Sequence, residues 1–226
     1  MIVTGAAPTR TCARSDRYTL YTQLVYTVYM APADRILREA RKIYERHGLP
    51  GLSIRRVSAR VGVTPMALYR HYAGKDALLD ALVAEGFAEW ETYVARAADE
   101  PTPMARVRAI LAVYVEFALD HPRLFELMFL TPRKGIPPAP ASLESPPSPG
   151  FTRIIAAFKE AMRERRLATD DTKEVILMVW ATVHGLIALH FSGRFQFDDA
   201  AFRQIAARQI DRLIRALAPA RKPSRK

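Results

Sequence analysis

The stretch that decides the fold is SIRRVSARVGVTPMALYRHYAGK, residues 53–75. It holds two helix starts in quick succession. Ser53 is placed to cap a helix from Ile54 to Val61, because its hydroxyl can accept from a free backbone N–H of the first turn. Gly62 breaks that helix. Thr64 followed by Pro65 is a second cap, with proline at the first helical position, where its missing N–H is not needed. The third helix is brief, about Pro65 to His71, and Ala73-Gly74 interrupts before a long helix from Lys75 to Ala98. Upstream, from Asp34, Ile36, Leu37, Ala40, Ile43 and Tyr44 share one stripe with Arg and Lys opposite. Gly48 ends this first helix ahead of a Pro50-Gly51 turn. Three helices with a tight glycine turn between the second and third form a helix-turn-helix arrangement.

Such a unit places its last short helix in the DNA major groove, about 12 Å wide. Leu68, with Val57, Val61 and Val63, supplies the apolar side that the helix must bury. Thr64, Pro65, Met66, Tyr69, Arg70 and His71 are left to face outward. The Tyr69 hydroxyl and the Lys75 ammonium can reach phosphates, and the backbone N–H groups at Thr64 suit another. The plainer alternative is a short helix pair with no nucleic-acid partner.

Charge bears on that choice. The 226-residue chain has a formal net charge of +11 and a pI near 10.1. Residues 31–75 hold ten Lys and Arg against three acids, a net of +7, and the last eight residues add four more cations. The middle is near neutral. Half of the residues are apolar, enough for a substantial core. A basic module joined to a neutral, apolar one favours a polyanionic partner for the first.

The segment 35–83 resembles the DNA-binding domain of the TetR family of transcriptional regulators. The matching features are His47-Gly48, Ser53, the run Val57-Ser58-Ala59-Arg60-Val61-Gly62-Val63, Leu68-Tyr69, His71-Tyr72 and Lys75-Asp76-Ala77-Leu78-Leu79. The resemblance implies an all-α homodimer with a C-terminal domain that binds a small ligand, and a repressor as the usual role. It places base reading on Thr64, Pro65, Met66 and Arg70, and phosphate contacts on Ser53, Tyr69, His71 and Lys75. Pro65 and Met66 depart from a hydrogen-bonding pair, so base reading there rests on apolar contact with thymine methyls. Farther on, Trp180-Ala181-Thr182-Val183-His184-Gly185 is similar to a Trp…His-Gly pattern in one branch of the family.

Beyond residue 75 the pattern is helical throughout: 104–120, 122–130, 151–167, about 171–191 and 198–217. No strand pattern stands outside residues 18–30, so the fold class is all-α, with an N-terminal helix-turn-helix domain (31–75) and a helical ligand-binding and dimerisation domain (76–218). A proline-rich loop (131–150) interrupts the second domain, and residues 219–226 form a basic tail. The helix 171–191 is apolar nearly all round and needs burial on several sides. The last helix carries Phe202, Ile205, Ile210, Leu213, Ile214 and Leu217, a stripe wide enough to pair with a second subunit. A monomeric bundle that buries the same stripes internally is the alternative.

A pocket for a small apolar ligand is expected between the central helices, lined by Phe117, Leu124, Phe125, Met128, Phe158, Met162, Met178, Trp180 and His184. An aromatic or methionine at helical spacing is more often plain core, which is the alternative for each of these. His184 and His190 fall on different faces, so no metal site is expected, and no cofactor. No phosphate loop, nucleophile motif or zinc signature is present, so no catalytic residue is assigned and no enzyme is expected. With one cysteine, no signal-peptide pattern and no apolar run approaching roughly 20 residues, the composition points to the cytoplasm and away from the membrane. The expectation is a ligand-responsive DNA-binding repressor acting on an inverted-repeat operator. The alternatives are a regulator of the same fold controlled by a protein partner, or an all-α carrier or enzyme using an apolar pocket.

Residues 18–30, YTLYTQLVYTVYM, stand apart. They read either as an N-terminal arm whose Arg10, Arg14 and Arg17 contact DNA, or as translated regulatory DNA upstream of a start at Met30. The codons of Val25 to Tyr29 permit an inverted repeat with GTATAC arms, the symmetry a dimeric regulator reads.

Overall fold

The computed structural model describes residues 31–132 and 148–219, and these are helical with no strand among them. In chain order the helices are α1 (Pro32–Gly51), α2 (Ile54–Val61), α3 (Pro65–Tyr69), α4 (Lys75–Ala98), α5 (Pro103–Asp120), α6 (Pro122–Phe125), α7 (Pro149–Arg163), α8 (Thr172–Phe191) and α9 (Asp199–Ala216). A π-helical turn, Glu126–Leu130, continues α6. Residues 1–30, most of the 131–150 segment and the basic tail lie outside the described residues, as do the readings attached to them. The chain forms two units, Met1–Leu79 and Asp80–Lys226, and the boundary falls inside α4.

The first unit is built by local signals. The Ser53 hydroxyl accepts from the Arg56 N–H at 3.2 Å, and the Thr64 hydroxyl accepts from the Ala67 N–H at 3.2 Å. Each removes one of the unpaired donors that a helix start exposes. Gly62 takes the left-handed conformation, φ 79° and ψ 33°, which a side chain would disfavour. Gly48 has φ 63° within the span of α1, so the regular helix yields there to the Leu49–Gly51 turn. Ile36, Ala40, Ile43 and Tyr44 of α1 are buried with Val57 and Leu68. The Tyr72 hydroxyl donates to the Ala33 carbonyl, which ties the α3–α4 connection to the start of α1.

The second unit surrounds α5. That helix buries Val107, Ile110, Leu111, Tyr114, Phe117 and Ala118, and packs on α7, α9, α6 and α8. Burial on so many sides follows from its near-continuous apolar sequence. Gly86 of α4 lets α6 come close, since a Cβ there would sit 3.0 Å or less from Leu124 and Met128 side-chain atoms. α9 turns Phe202, Ala206, Ile210 and Ile214 into this core. Of the stripe expected to pair with a second subunit, Phe202, Ile210 and Ile214 are buried within the chain, Ile205, Leu213 and Leu217 are half-buried, and Arg203, Gln204 and Arg208 are exposed.

α8 divides between two faces. Val175, Ile176, Val179, Val183 and Ile187 are buried, while Leu177, Met178 and Leu189 are each about 43–44% exposed. Ala181 and Thr182 complete that outer face, and nothing lies within 4 Å of a Cβ built on Gly185. Among the described residues it is the helix long and apolar enough, by length and composition, to cross a membrane. One of its faces is instead packed into the helical core.

Candidate nucleic-acid interface and the cavity of the second unit

α3 has five residues, and its side chains divide cleanly. Leu68 is fully buried and anchors the helix on the core of the first unit. Thr64, Pro65, Met66, Tyr69, Arg70 and His71 are all exposed, with Met66 at 69% and Tyr69 at 49%. Met66 and Tyr69 stand one turn apart on the same outward side of this short helix. The Tyr69, Arg70 and His71 side chains have no hydrogen-bond or ion-pair partner among the described residues. They are free to meet base edges or phosphates.

Two predicted contacts are partly engaged already. The Ser53 and Thr64 hydroxyl oxygens accept the capping bonds, and each keeps its O–H to donate outward. Lys75 donates from Nζ to the Leu49 carbonyl at 2.8 Å, which locks the α1–α2 turn to the start of α4. Its remaining two N–H groups are not committed by that bond. Arg55, exposed on the first turn of α2, joins the same basic surface and is absent from the sequence-based set. Its place two residues after the Ser53 cap, at the second position of α2, was the available signal.

Between the second half of α1 and α2 lies an open groove of about 460 Å³, lined by Lys42, Glu45, Arg46, His47, Arg56 and Arg60. Its charges are largely paired internally. Lys42 and Arg60 meet Glu39 at 2.8 and 3.5 Å, and Arg56 lies 3.1 Å from the His47 ring.

The second unit encloses a cavity of about 70 Å³. Its wall comes from α4 (Trp90), α5 (Ile110, Leu111, Tyr114), the π-helical turn (Phe129), α7 (Phe151, Ile154, Phe158) and α8 (Ile176, Val179, Trp180, Val183). Of the residues expected to line a pocket, Phe158 and Trp180 do so. Phe117, Leu124, Phe125, Met128 and Met162 are buried in the surrounding core, and Met178 points away on the exposed face of α8. One position separates Met178 from Val179. In a helix apolar all round, periodicity gives no sign of which face turns inward.

Two wall residues, Tyr114 and Trp180, join a polar group completed by His184, which was expected to line the pocket but is not among the residues that line the cavity. The Trp180 indole N–H donates to the Tyr114 hydroxyl oxygen at 3.0 Å, and that oxygen lies 2.9 Å from His184 Nδ1. An indole nitrogen can only donate, so the Tyr114 O–H is free to donate to His184. This makes Nδ1 the bare nitrogen of a neutral ring. Burial holds the His184 pKa below its ordinary value, in keeping with the neutral form. Burial pushes the Tyr114 phenol well above the ordinary range, so it stays protonated. Trp90, Phe125 and Phe129 pack around Tyr114 with ring centroids 5.2–5.6 Å away.

Comparison with known proteins agrees with this geometry. Residues 36–82 match the family of bacterial regulatory proteins described as tetR family, and residues 107–213 match the tetracyclin repressor-like C-terminal domain. The chain is 26% identical over 142 residues to the HTH-type transcriptional regulator Rv1816 of Mycobacterium tuberculosis, an alignment covering 62% of this chain and 58% of that protein. It is 38% identical over 65 residues to the class A tetracycline repressor from transposon 1721 of Escherichia coli, covering 29% and 30%. Among solved structures, a Rhodococcus sp. RHA1 protein of unknown function superposes with a TM-score of 0.68 at 26% identity, over 84% of this chain and 97% of that one. The regulator PfmR of Thermus thermophilus shares the fold at a TM-score of 0.61 and 16% identity, over 85% and 100%.

Proposed function

The chain belongs to the TetR family, and on that premise we propose that it is a DNA-binding transcriptional regulator, working as a cytoplasmic, homodimeric, ligand-responsive repressor that reads an inverted-repeat operator. The observation that supports this most is α3. It exposes Thr64, Pro65, Met66, Tyr69 and Arg70 together, on a unit whose 31–75 segment carries a net +7. Arg70 reads a base edge, Met66 and Pro65 meet thymine methyls, and Ser53, Tyr69, His71 and Lys75 hold phosphates. The test is binding to fragments of the gene's upstream DNA across a salt series. Specific binding in the nanomolar range with a steep salt slope is expected. Equal affinity for unrelated DNA at every salt concentration would end the reading.

Dimerisation supplies the second recognition helix, one DNA turn of about 34 Å away. The outer face of α8, with Leu177, Met178, Ala181, Gly185 and Leu189, is the surface assigned to it. Gly185 allows close approach, and Met178→Arg puts a charge into the seam. Sedimentation should show a dimer for the native chain and a monomer for that variant.

The ligand is assigned to the second unit's cavity. It must favour the dimer state with mis-spaced recognition helices, because a ligand shifts an equilibrium only by its differential affinity. One observation favours control by a protein partner instead: about 70 Å³ is well below the roughly 300 Å³ at which ligand pockets usually begin. A small-molecule ligand must therefore enlarge the cavity as it enters. The operator itself is assigned to the DNA encoding Val25 to Tyr29, whose codons permit GTATAC arms. Footprinting on the native gene checks this, and codons without the repeat would remove it.

A further inference from the structure

We propose that the Trp180–Tyr114–His184 group is the latch of the cavity, and that the cavity takes a neutral, flat aromatic molecule carrying one hydroxyl or N–H donor, which displaces the Trp180 ring and replaces its hydrogen bond to Tyr114. This rests on the reading of the second unit as ligand-responsive. The chemistry follows from the wall. Among the described residues no Lys, Arg, Asp or Glu lines the cavity, so a charged ligand group would meet no counter-charge there, at a prohibitive desolvation cost. Six of the twelve lining residues are aromatic, which suits a flat ring.

The entry route follows from size and exposure. The existing space of about 70 Å³ is smaller than the roughly 150 Å³ in which a benzene ring is held. Some wall residue must move, and most are locked in the core. Trp180, Phe129 and Phe151 are partly exposed and come from three different elements. Of these only Trp180 has solvent on one side and a hydrogen bond on the other. Its outward swing vacates the volume of an indole.

That swing has a polar consequence. The Tyr114 hydroxyl keeps its bond to His184 Nδ1, but its oxygen loses the indole donor while still buried. A ligand that brings its own donor restores the bond. A ligand of the same shape without one leaves a buried acceptor unpaired, a difference of roughly tenfold or more in affinity. The site therefore selects by a single donor.

The full-length protein reports on this directly, because its two tryptophans, Trp90 and Trp180, both line the cavity. Tryptophan fluorescence, excited beyond phenol absorption, is followed while phenol, anisole or benzoate is added. Phenol should give a saturable change, anisole one roughly tenfold weaker or more, and benzoate none. In Tyr114→Phe the preference for phenol over anisole should vanish, and in Trp180→Phe phenol should bind several-fold tighter, because no latch bond must break. Circular dichroism confirms that each variant is folded; Tyr114→Phe tests the donor rule and Trp180→Phe tests the latch, each independently of the other. Equal binding of phenol and anisole, binding of benzoate, or no saturable change with phenol would each overturn the proposal. Operator release is measured in parallel. Phenol binding without release would leave the latch standing and count against the ligand-responsive reading. Release by other compounds with no phenol binding would do the reverse.

Discussion

The two units of this chain make their sites in opposite ways. In the first, the functional side chains stand outward on a five-residue helix held by one buried leucine, Leu68. In the second, the candidate site is a void whose walls are the core itself. An outward site can be altered with little effect on folding, because its side chains contact solvent. An inward site is harder to alter, because most of its wall residues also hold helices together.

Phe158→Ala should break this comparison most visibly. Phe158 is 2% exposed and lies on the cavity wall. Its truncation should cost about 3–5 kcal/mol of stability, read by thermal or urea unfolding. A loss under about 1 kcal/mol would mean that the wall is not packed core. Arg70→Ala is the outward counterpart. It should weaken operator binding by about 1–3 kcal/mol and relax preference at one base position, while leaving the melting temperature in place. Thr64→Ala sits between the two. It removes the cap on α3 and should cost about 1 kcal/mol in stability, as well as loosening DNA binding through a frayed helix.

A pH series probes the inward site at finer resolution. His184 has a pKa below 6.5 in the folded chain because it is buried, so the unfolded chain binds its proton first. Its contribution to stability is complete above pH 6.5 and falls as the pH drops through that value. His184→Asn keeps an acceptor for Tyr114 but does not titrate. It should therefore lose less stability than the native chain on acidification, in melting curves taken across the range. Parallel curves for the two proteins would show that His184 is not the group. The smallest effect is expected of Met66→Ala, which should change stability by no more than about 0.5 kcal/mol, since Met66 is 69% exposed.

Much of the first unit was legible because its signals are local. Ser53 and Thr64 act within three residues, Gly62 within one, and the Pro65 start needs only the residue before it. The second unit was legible as helices, but not as surfaces. Phe202, Ile210 and Ile214 announce a buried face on α9 without saying what buries it, and in the folded chain they pack against α5 and the core. Met178 and Val179 are equally apolar neighbours, and only packing decided which one faces the interior. Lys75 was readable as a phosphate ligand, yet its bond to the Leu49 carbonyl depends on a turn 26 residues away.

By itself, then, the amino-acid sequence determined an all-helical chain, the ends of α2 and α4 and the start of α3, the basic character of the first unit and the outward residues of α3. These rest on propensity, capping and charge, which act over a few residues. Only the tertiary structure decided that Tyr114 meets Trp180 and His184, 66 and 70 residues away, that six aromatic rings enclose one small cavity, and that α8 keeps an apolar face uncovered. Those outcomes depend on which helix packs on which, and a one-dimensional apolar pattern does not carry that information.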